Sequence, residues 1–381
     1  MNTAAHTPLG GTPAADGWWM PAEYEPHAGC WMLWPERPDN WREQARPGQR
    51  AFAAVAGAIA RFEPVRIGVS AAHAAAARAL LPPSVGVVEL AHDDCWMRDV
   101  GPTFLVGAPG QLRGVHWHFN AWGGLEEGLY HPWDQDAQVA AEVLALDGRA
   151  RYRAPIVIEG GAIHVDGEGT ALLAEECVLN PNRNPGMTRE RMEGLLRAYL
   201  GVTHFIWVRL GVYHDETDGH IDNMACFLGP GKVCLTWTED RADPQYERSQ
   251  EAWERLSAAR DARGRHIEVV KLPMPGPLYM TETEAAGLTP SAACKPRRAG
   301  ERLAASYVNF YFANGALVIP QLDARTDAEA AAILRRACPG REVIGVPARE
   351  ILLGGGGIHC ITQQIPDPRA PRTRPVVDGA G

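Results

Sequence analysis

The hydrophobic positions of the chain follow two alternating patterns. In the first pattern, two short apolar runs flank a glycine-containing turn, which is typical of a β-hairpin. Five segments show this hairpin pattern: 99–119, 159–179, 218–237, 307–321 and 353–364. Each predicts a pair of strands with a polar or glycine-marked entry.

In the second pattern, apolar residues recur three and four positions apart, which predicts amphipathic helices. Six stretches between the hairpins show it: 49–62, 71–81, 134–146, 188–200, 246–262 and 326–338. The fourth has a clear start, because Thr188 is a suitable N-cap and Glu190 and Glu193 follow it.

Recurrence of a hairpin and a helix favours repeated ββα modules in one α/β body, arranged as a radial array. An ordinary α/β sheet with unrelated hairpins is the alternative. We expect a single folded domain over 17–366. Residues 1–16 and 367–381 are rich in Pro, Ala, Gly or Arg without apolar periodicity, and we expect both to be poorly ordered.

Composition narrows the class of protein. With 46% hydrophobic and 22% charged residues, the 381-residue chain is not disordered, collagenous or a coiled coil. It shows neither a membrane-spanning run nor a basic, apolar leader, so we expect a cytoplasmic protein without a membrane partner. The net charge of −9 and the lack of basic runs argue against nucleic acid. The acidic excess fits solubility or a small cationic ligand.

The eight cysteines show no C-x-x-C pair and no zinc-finger spacing. A disulfide scaffold and a structural zinc are therefore disfavoured, and we expect free thiols, most of them buried. At most one or two would be chemically employed.

Reactive residue types lie at the openings of four of the repeats. They are Asp99, Glu159, the pair His220 and Asp222, and Cys360. If the modules surround an axis, equivalent ends converge, and these groups would meet in a central pocket. Each residue also has a structural interpretation, as a buried thiol or as a hydrogen-bonded core histidine.

The chemistry of such a pocket is constrained by its charges. Cys360 follows four glycines, which permit close substrate approach, and His220 could act as general acid and base. Carboxylates beside a thiol suppress the thiolate, a problem that a cationic substrate would solve. A planar guanidinium matches two carboxylates. A metal site is conceivable, but the His-x-Asp spacing is short and a second suitable histidine is missing, so we expect no metal and no cofactor.

Seven motifs together resemble the agmatine deiminase (agmatine iminohydrolase) family. Relatives of this family are the bacterial peptidyl-arginine deiminases of the guanidino-group-modifying (pentein) superfamily. The similarity runs from about residue 19 to about residue 364. The motifs are HDDCWMRDVGPTF from 92, IEGGAIHVDGEGT from 158, NPNRNP from 180, DETDGHIDN from 215, MPGPLYMT from 274, SYVNFY from 306 and ILLGGGGIHCITQQ from 351. The resemblance implies a five-bladed α/β propeller with pseudo-fivefold symmetry.

The resemblance also implies roles for individual residues. Cys360 matches the family's nucleophile, His220 its general acid and base, and Asp99 and Asp222 its guanidinium-binding carboxylates. Glu159 matches the carboxylate that orients the histidine or touches the guanidinium.

Other positions concern the substrate's chain and distal end. Trp96 matches the aromatic wall of the substrate channel. Glu216 is our candidate for the group that receives a distal ammonium, with Asp218 as a competitor and a structural turn as a further possibility for either.

Two residues of the nucleophile loop need comment. Gly357, which we count with the substrate-binding positions, replaces an asparagine that is common in the family. Loss of the asparagine side chain would remove a local hydrogen bond and loosen the loop. His359 is a second candidate base, but strand alternation predicts that it points to the opposite face.

The activity implied is hydrolysis of agmatine to N-carbamoylputrescine and ammonia through a covalent amidino-cysteine, in putrescine and polyamine biosynthesis. The resemblance also implies a homodimer or higher homo-oligomer. A deiminase of free or peptidyl arginine, a non-catalytic guanidine- or polyamine-binding protein and an amidino transferase are the alternatives.

Overall fold

The computed structural model describes residues 7–375, and the strands within them form five small sheets. The strands are β1 His27–Leu33, β2 Val65–Val69, β3 Val85–Glu89, β4 Thr103–Val106, β5 Leu112–His118, β6 Ala150–Val157, β7 His164–Val165, β8 Thr170–Ala174, β9 His204–Val208, β10 Ala225–Gly229, β11 Lys232–Trp237, β12 Glu268–Pro273, β13 Tyr311–Ala313, β14 Ala316–Gln321, β15 Glu342–Pro347 and β16 Thr362–Pro366.

Helices connect the strands, and a 3-10 turn covers Gly160–Ala162. The α-helices are α1 Arg46–Ile59, α2 Ala74–Leu80, α3 Met97–Val100, α4 Gly124–Glu127, α5 Asp136–Leu146, α6 Glu175–Val178, α7 Arg189–Leu200, α8 Ile221–Met224, α9 Gln245–Ala258, α10 Glu282–Ala286, α11 Asp327–Ala337 and α12 Arg349–Leu353.

All six helices predicted from periodicity are confirmed, as α1, α2, α5, α7, α9 and α11. Thr188 caps α7 as expected, since its hydroxyl accepts a hydrogen bond from the N–H of Arg191 over 3.3 Å. The remaining helices have four or five residues, which is too short for an apolar period to show in a sequence.

Four sheets share one topology, with strand orders β4-β5-β6, β7-β8-β9, β10-β11-β12 and β13-β14-β15. The first two strands of each form an antiparallel hairpin, which confirms four predicted hairpins. The third strand runs parallel to the second. A parallel neighbour requires a crossover, and the confirmed helices α5, α7, α9 and α11 supply it.

The fifth sheet joins the two ends of the chain. In the order β16-β1-β2-β3, β16 pairs antiparallel with β1, and β1 pairs parallel with β2 through the crossover helix α1. The register places Trp31 opposite Gln363 and Met32 opposite Thr362. The segment 353–364 therefore finds its antiparallel partner at the start of the chain rather than in a contiguous hairpin.

The central strands carry much of the core. Every residue of β8 is buried, and β1, β5, β11 and β14 have at most two residues each that are not. Such strands read as apolar runs because helices and neighbouring sheets cover both faces. The expected α/β class is confirmed, and the rigid strands hold the loops at their ends.

The described parts of both tails contact the folded body. The N–H of Leu9 donates to the carbonyl of Arg151 over 2.8 Å, and the N–H of Gly110 donates to the carbonyl of Pro368 over 3.0 Å. Residues 7–16 and 367–375 thus differ from the poorly ordered segments that we expected, whereas 1–6 and 376–381 lie outside the described residues. Within the described part, every helix is too short or too polar to cross a bilayer.

Candidate active site

The predicted site residues lie just before the first strand of a sheet. Asp99 is in α3, ahead of β4, and Glu159 precedes the 3-10 turn that leads to β7. His220 immediately precedes α8 and Asp222 lies in the first turn of that helix, ahead of β10. Cys360 lies in the turn that leads into β16. Each functional side chain therefore lies at the same position of the repeat, just before the first strand of its sheet.

Three of these groups meet at Gly161. A Cβ atom on Gly161 would lie 2.5 Å from Nδ1 of His220 and 3.0 Å from Oδ2 of Asp222 and Oδ1 of Asp99. Only a residue without a side chain leaves this space to the three functional groups. The glycine is as much a part of the site as the groups around it.

Asp99 is held by two donors. The indole of Trp122 donates to Oδ2 over 3.1 Å, and the backbone N–H of Gly161 donates to Oδ1 over 2.9 Å. Burial raises the pKa of Asp99 to about 6; the charge of His220 opposes the rise, and the carboxylate of Asp222 adds to it. At neutral pH the carboxylate is ionised but attracts a proton or a cation.

Asp222 is held from the other side by His359, whose Nδ1 lies 2.8 Å from Oδ2. Burial acts to raise the pKa of Asp222, but the hydrogen bond and charge of His359 outweigh it and lower the pKa below its ordinary value. Oδ1 of Asp222 is buried and accepts no hydrogen bond from residues 7–375. The site thus contains an ionised carboxylate with one oxygen free.

His220 lies between two carboxylates. Its Nδ1 is 3.9 Å from Oδ2 of Asp99 and its Nε2 is 3.4 Å from Oε2 of Glu159. Burial acts to lower the pKa of His220, but Asp99, Cys177 and Glu159 raise it well above its ordinary value. The imidazole is therefore protonated and can act as an acid.

Glu159 is fixed by Arg183, whose Nε donates to Oε1 over 2.8 Å. Against the effect of burial, Arg183 and His220 lower the pKa of Glu159 to about 2. The carboxylate is ionised and fully buried, and its Oε2 contacts Nε2 of His220. This geometry matches the histidine-orienting option for Glu159.

The thiol of Cys360 lies among acceptors and one donor. Its Sγ is 3.5 Å from Oδ2 of Asp222, while Nδ2 of Asn309 donates to it over 3.1 Å. Burial, together with the charges of Asp222 and Asp99, raises the pKa of the Cys360 thiol well above its ordinary value. The ligand-free site therefore holds a neutral thiol.

A narrow cavity leads to this thiol. Among the predicted residues, Trp96, Asp99, Glu216 and Cys360 line it. A Cβ atom on Gly356 would lie 2.6 Å from the Trp96 ring and 3.1 Å from Sγ of Cys360, so the indole and the sulfur face the same gap. His220, Asp222 and Glu159 lie deeper and are at most 1% exposed.

The structure separates Glu216 from Asp218. Glu216 lines the cavity, and its Oε2 lies 2.7 Å from Nη1 of Arg297. Asp218 has a left-handed backbone with φ 63° and accepts a hydrogen bond from Nη1 of Arg183 over 2.5 Å. Asp218 lines only the wider groove outside the cavity.

Gly357 lies against Asn309 rather than in the cavity lining. A Cβ atom on Gly357 would lie 2.3 Å from Oδ1 of Asn309. His359, as expected, does not line the cavity. It nevertheless contacts Asp222 from behind, which strand alternation alone did not predict.

Two groups of ligand-type residues within 7–375 are close enough to hold a metal ion: Glu23, His164 and His359, and Glu159, Cys177 and His220. In both groups the carboxylate is already paired with an arginine, since Arg98 contacts Glu23 and Arg183 contacts Glu159. A dication there would meet a fixed positive charge, so neither donor set suits a metal.

Sequence reasoning missed three residues that contact the predicted ones: Trp122, Arg183 and Asn309. Asn309 precedes β13, so the repeat at 307–321 also places a polar side chain at the shared position, beside the sulfur of Cys360. The repeat pattern contained that signal, because SYVNFY opens the fourth hairpin. Arg183 lies in NPNRNP, where a basic residue within a turn carries no comparable signal.

Comparison with known proteins places the site in a family. Residues 19–366 match the Porphyromonas-type peptidyl-arginine deiminase family, and the chain belongs to it. An agmatine deiminase of Pseudomonas aeruginosa (strain LESB58) is 55% identical over 360 residues, which cover 94% of this chain and 98% of the relative.

Solved structures agree with this assignment. The agmatine deiminase of Enterococcus faecalis superposes with a TM-score of 0.92 at 42% identity, covering 94% of this chain and 99% of that one. A cysteine-to-serine variant of the C. jejuni agmatine deiminase with substrate bound has a TM-score of 0.79 at 25% identity, covering 91% and 96% of the two chains. The resemblance to agmatine deiminases is confirmed, and with it the enzyme class, a hydrolase of guanidino C–N bonds.

Proposed function

We propose that the protein hydrolyses agmatine to N-carbamoylputrescine and ammonia. The observation that carries the proposal is the meeting of Asp99, Asp222 and His220 around Gly161, next to the thiol of Cys360. The names of relatives that cover 94% of this chain support agmatine as the substrate.

Two carboxylates bind the guanidinium in this proposal. Asp222 offers a free buried oxygen, and Asp99 has a raised pKa that a bound cation would lower again. Planar N–H donors match such acceptors bidentately. The flat ring of Trp96 lines the channel for the butyl chain.

The charge of the substrate activates the nucleophile. The thiol of Cys360 is neutral in the ligand-free site because burial and two carboxylates raise its pKa. A guanidinium placed against both carboxylates offsets their field, so the thiol proton is released to solvent as the substrate arrives. A thiolate then forms only when there is something to attack.

Attack by Cys360 gives a tetrahedral adduct, in which the sulfur electron pair forms a C–S bond to the guanidinium carbon. The C–N bond to one terminal nitrogen then breaks, and that nitrogen takes the proton of His220 and leaves as ammonia. Because Asp99 and Glu159 keep His220 protonated beforehand, the acid is in place. An amidino-thioether on Cys360 remains.

Hydrolysis reverses the role of His220. The neutral imidazole takes a proton from water, and the hydroxide adds to the same carbon. The C–S bond breaks, the hydroxyl proton of the adduct passes to the departing sulfur and restores the thiol, and the ureido product is released. Glu159, held by Arg183, keeps the ring oriented through both half-reactions.

We also propose Glu216 as the group nearest the distal ammonium, since it lines the cavity and Asp218 does not. One observation favours a second candidate function, a deiminase of free or peptidyl arginine. Lys295 and Arg297 also line the cavity, and either could receive a carboxylate. Arg297 is already bound to Glu216 and to the carbonyl of Gly354, which makes agmatine the better fit.

Further expectations belong to the same proposal. They are the arrangement of the five sheets as a propeller with pseudo-fivefold symmetry, a homo-oligomer, a cytoplasmic location and a place in polyamine biosynthesis. The repeated strand topology supports the first of these.

The test is release of ammonia and ureido product from agmatine, L-arginine and a peptide with a C-terminal arginine, with Cys360→Ala as the blank. Turnover of agmatine that vanishes in the variant is the expected result. Turnover of arginine alone would overturn the substrate, and binding without ammonia would indicate a guanidine-binding protein. Full activity of Cys360→Ala would contradict the mechanism.

A further inference from the structure

His359 lies next to the nucleophile in sequence but faces away from the cavity. It is 3% exposed, and its ring stands between two carboxylates. Nδ1 lies 2.8 Å from Oδ2 of Asp222, and Nε2 lies 2.8 Å from Oε2 of Glu23. A neutral imidazole has one N–H and one lone pair, so only the protonated ring can donate to both.

The charge of the ring is supported from its surroundings. Burial and Arg98 act to lower the pKa of His359, but Glu23 and Asp222 outweigh them and raise it. Glu23 in turn accepts from Nη1 of Arg98 over 3.2 Å. The result is a buried row of alternating charge that runs Asp222, His359, Glu23, Arg98.

This row ends on Oδ2 of Asp222, the oxygen that also lies 3.5 Å from Sγ of Cys360. With Oδ2 bound to His359, Oδ1 accepts no hydrogen bond from the part of the chain that the structure describes. The titratable or charged groups that face Asp222 are His359, His220, His164, Arg98, Asp99 and Cys360. Among them, His359 makes the shortest contact, so it governs both the charge and the orientation of the carboxylate.

We propose that His359, backed by Glu23, is a positioning residue that fixes Asp222 for guanidinium binding. The proposal rests on the proposed function, since it takes a guanidinium as the ligand. Without His359, the carboxylates of Asp222 and Asp99 would repel each other with less compensation, and Asp222 would be free to turn.

His359→Gln tests the proposal, with His164→Gln as its matched control. His164 is equally buried and lies 3.7 Å from the same Glu23, but it has no hydrogen bond to Asp222. In His359→Gln, we expect the KM for agmatine to rise about tenfold or more, with a smaller change in kcat. The acid limb of kcat/KM moves to higher pH, because Asp222 then protonates more readily. In the control, KM changes less than about threefold.

An unchanged KM and acid limb in a folded His359→Gln would overturn the proposal, as would an equal effect of His164→Gln. If His359→Gln does not fold, Glu23→Gln is expected to shift both quantities in the same direction, and no shift would count against the proposal.

A second measurement does not depend on turnover. Nitrogen-15 NMR of labelled histidines, with His359 assigned by difference, is expected to show both ring nitrogens protonated at pH 7. A neutral ring would overturn the proposal. Absence of agmatine turnover in the unaltered protein would instead contradict the proposed function, and the NMR result still decides the state of His359.

Discussion

The side-chain amide of Asn309 donates a hydrogen bond to the sulfur of Cys360, with Nδ2 3.1 Å from Sγ. Its Oδ1 accepts from the backbone N–H of His359 over 2.8 Å, so one amide holds both the sulfur and the loop that carries it. A donor to sulfur favours the thiolate, and Asn309 lowers the pKa of Cys360 against the larger effects of burial and two carboxylates.

Asn309→Asp keeps the size of the side chain but replaces the N–H donor with a carboxylate. We expect the thiol pKa of Cys360 to rise further and kcat to fall about a hundredfold. The pH dependence of alkylation at Cys360, followed by mass spectrometry, measures the thiol directly, and Cys360→Ala gives the background from the other cysteines. Unchanged alkylation would show that the hydrogen bond does not tune the sulfur.

Glu216 and Asp218 can be separated by the substrate. Butylguanidine lacks the distal ammonium of agmatine, so Glu216→Gln is expected to raise the KM for agmatine about tenfold and to leave that for butylguanidine nearly unchanged. Asp218→Asn acts through Arg183 and Glu159, and should impair both substrates alike. Reversal of the two patterns would assign the ammonium to Asp218.

Gly357 has a steric role in this chain. Since a Cβ atom there would lie 2.3 Å from Oδ1 of Asn309, Gly357→Asn should displace Asn309 from the sulfur and lower kcat about tenfold or more. Gly194→Ala is the control, because a Cβ atom on Gly194 meets open space in α7. Higher activity in Gly357→Asn would indicate that the asparagine common in the family compensates for the lost contact.

The carboxylates of Asp99 and Asp222 should affect stability with opposite signs. The folded-state pKa of Asp99 is about 6, above its ordinary 3.8, so its ionisation costs stability as pH rises through this window. Asp99→Asn should therefore raise the free energy of unfolding at pH 7.5 by up to about 3 kcal/mol, which appears as a higher Tm. The gain should vanish below about pH 4.

Asp222 provides the contrast. Its folded-state pKa lies below its ordinary value, so its ionised form contributes stability that is present above that value and is lost as pH falls. Asp222→Asn should lower the Tm at pH 7.5. Thermal unfolding from pH 4 to pH 8 tests both, and a stabilised Asp222→Asn would contradict the ionised His359–Asp222 pair.

The repeated hairpins and helices could be read from the sequence because both have strong periods. The third strands β12 and β15 could not, because each has a single buried residue and weak burial leaves little apolar pattern. The pairing of β16 with β1 was also hidden, because hydrophobic pattern does not say which distant strand is the partner.

Some residues of the site could likewise be predicted from the sequence, and others could not. The residues at the repeat openings could be found, since rigid strand ends carry them and the chemistry needs those residue types. Their partners could not, because Arg183 and Glu23 reach the site from other elements and only the fold brings them near. Glu216 and Asp218 lie in one motif, and the left-handed backbone at Asp218 accompanies a side chain turned to Arg183.

The union of β1 with β16 makes the order of synthesis matter. Cys360 precedes the last strand, whose partner emerges from the ribosome more than 300 residues earlier. A nascent chain can build four sheets while the fifth lacks an edge, and closing so long a loop delays the final pairing. Cys360 therefore cannot take its place in the site until nearly all of the sheet-forming residues have been synthesised. Joining the termini and opening the turn between β10 and β11 would give a permuted chain in which that sheet closes early.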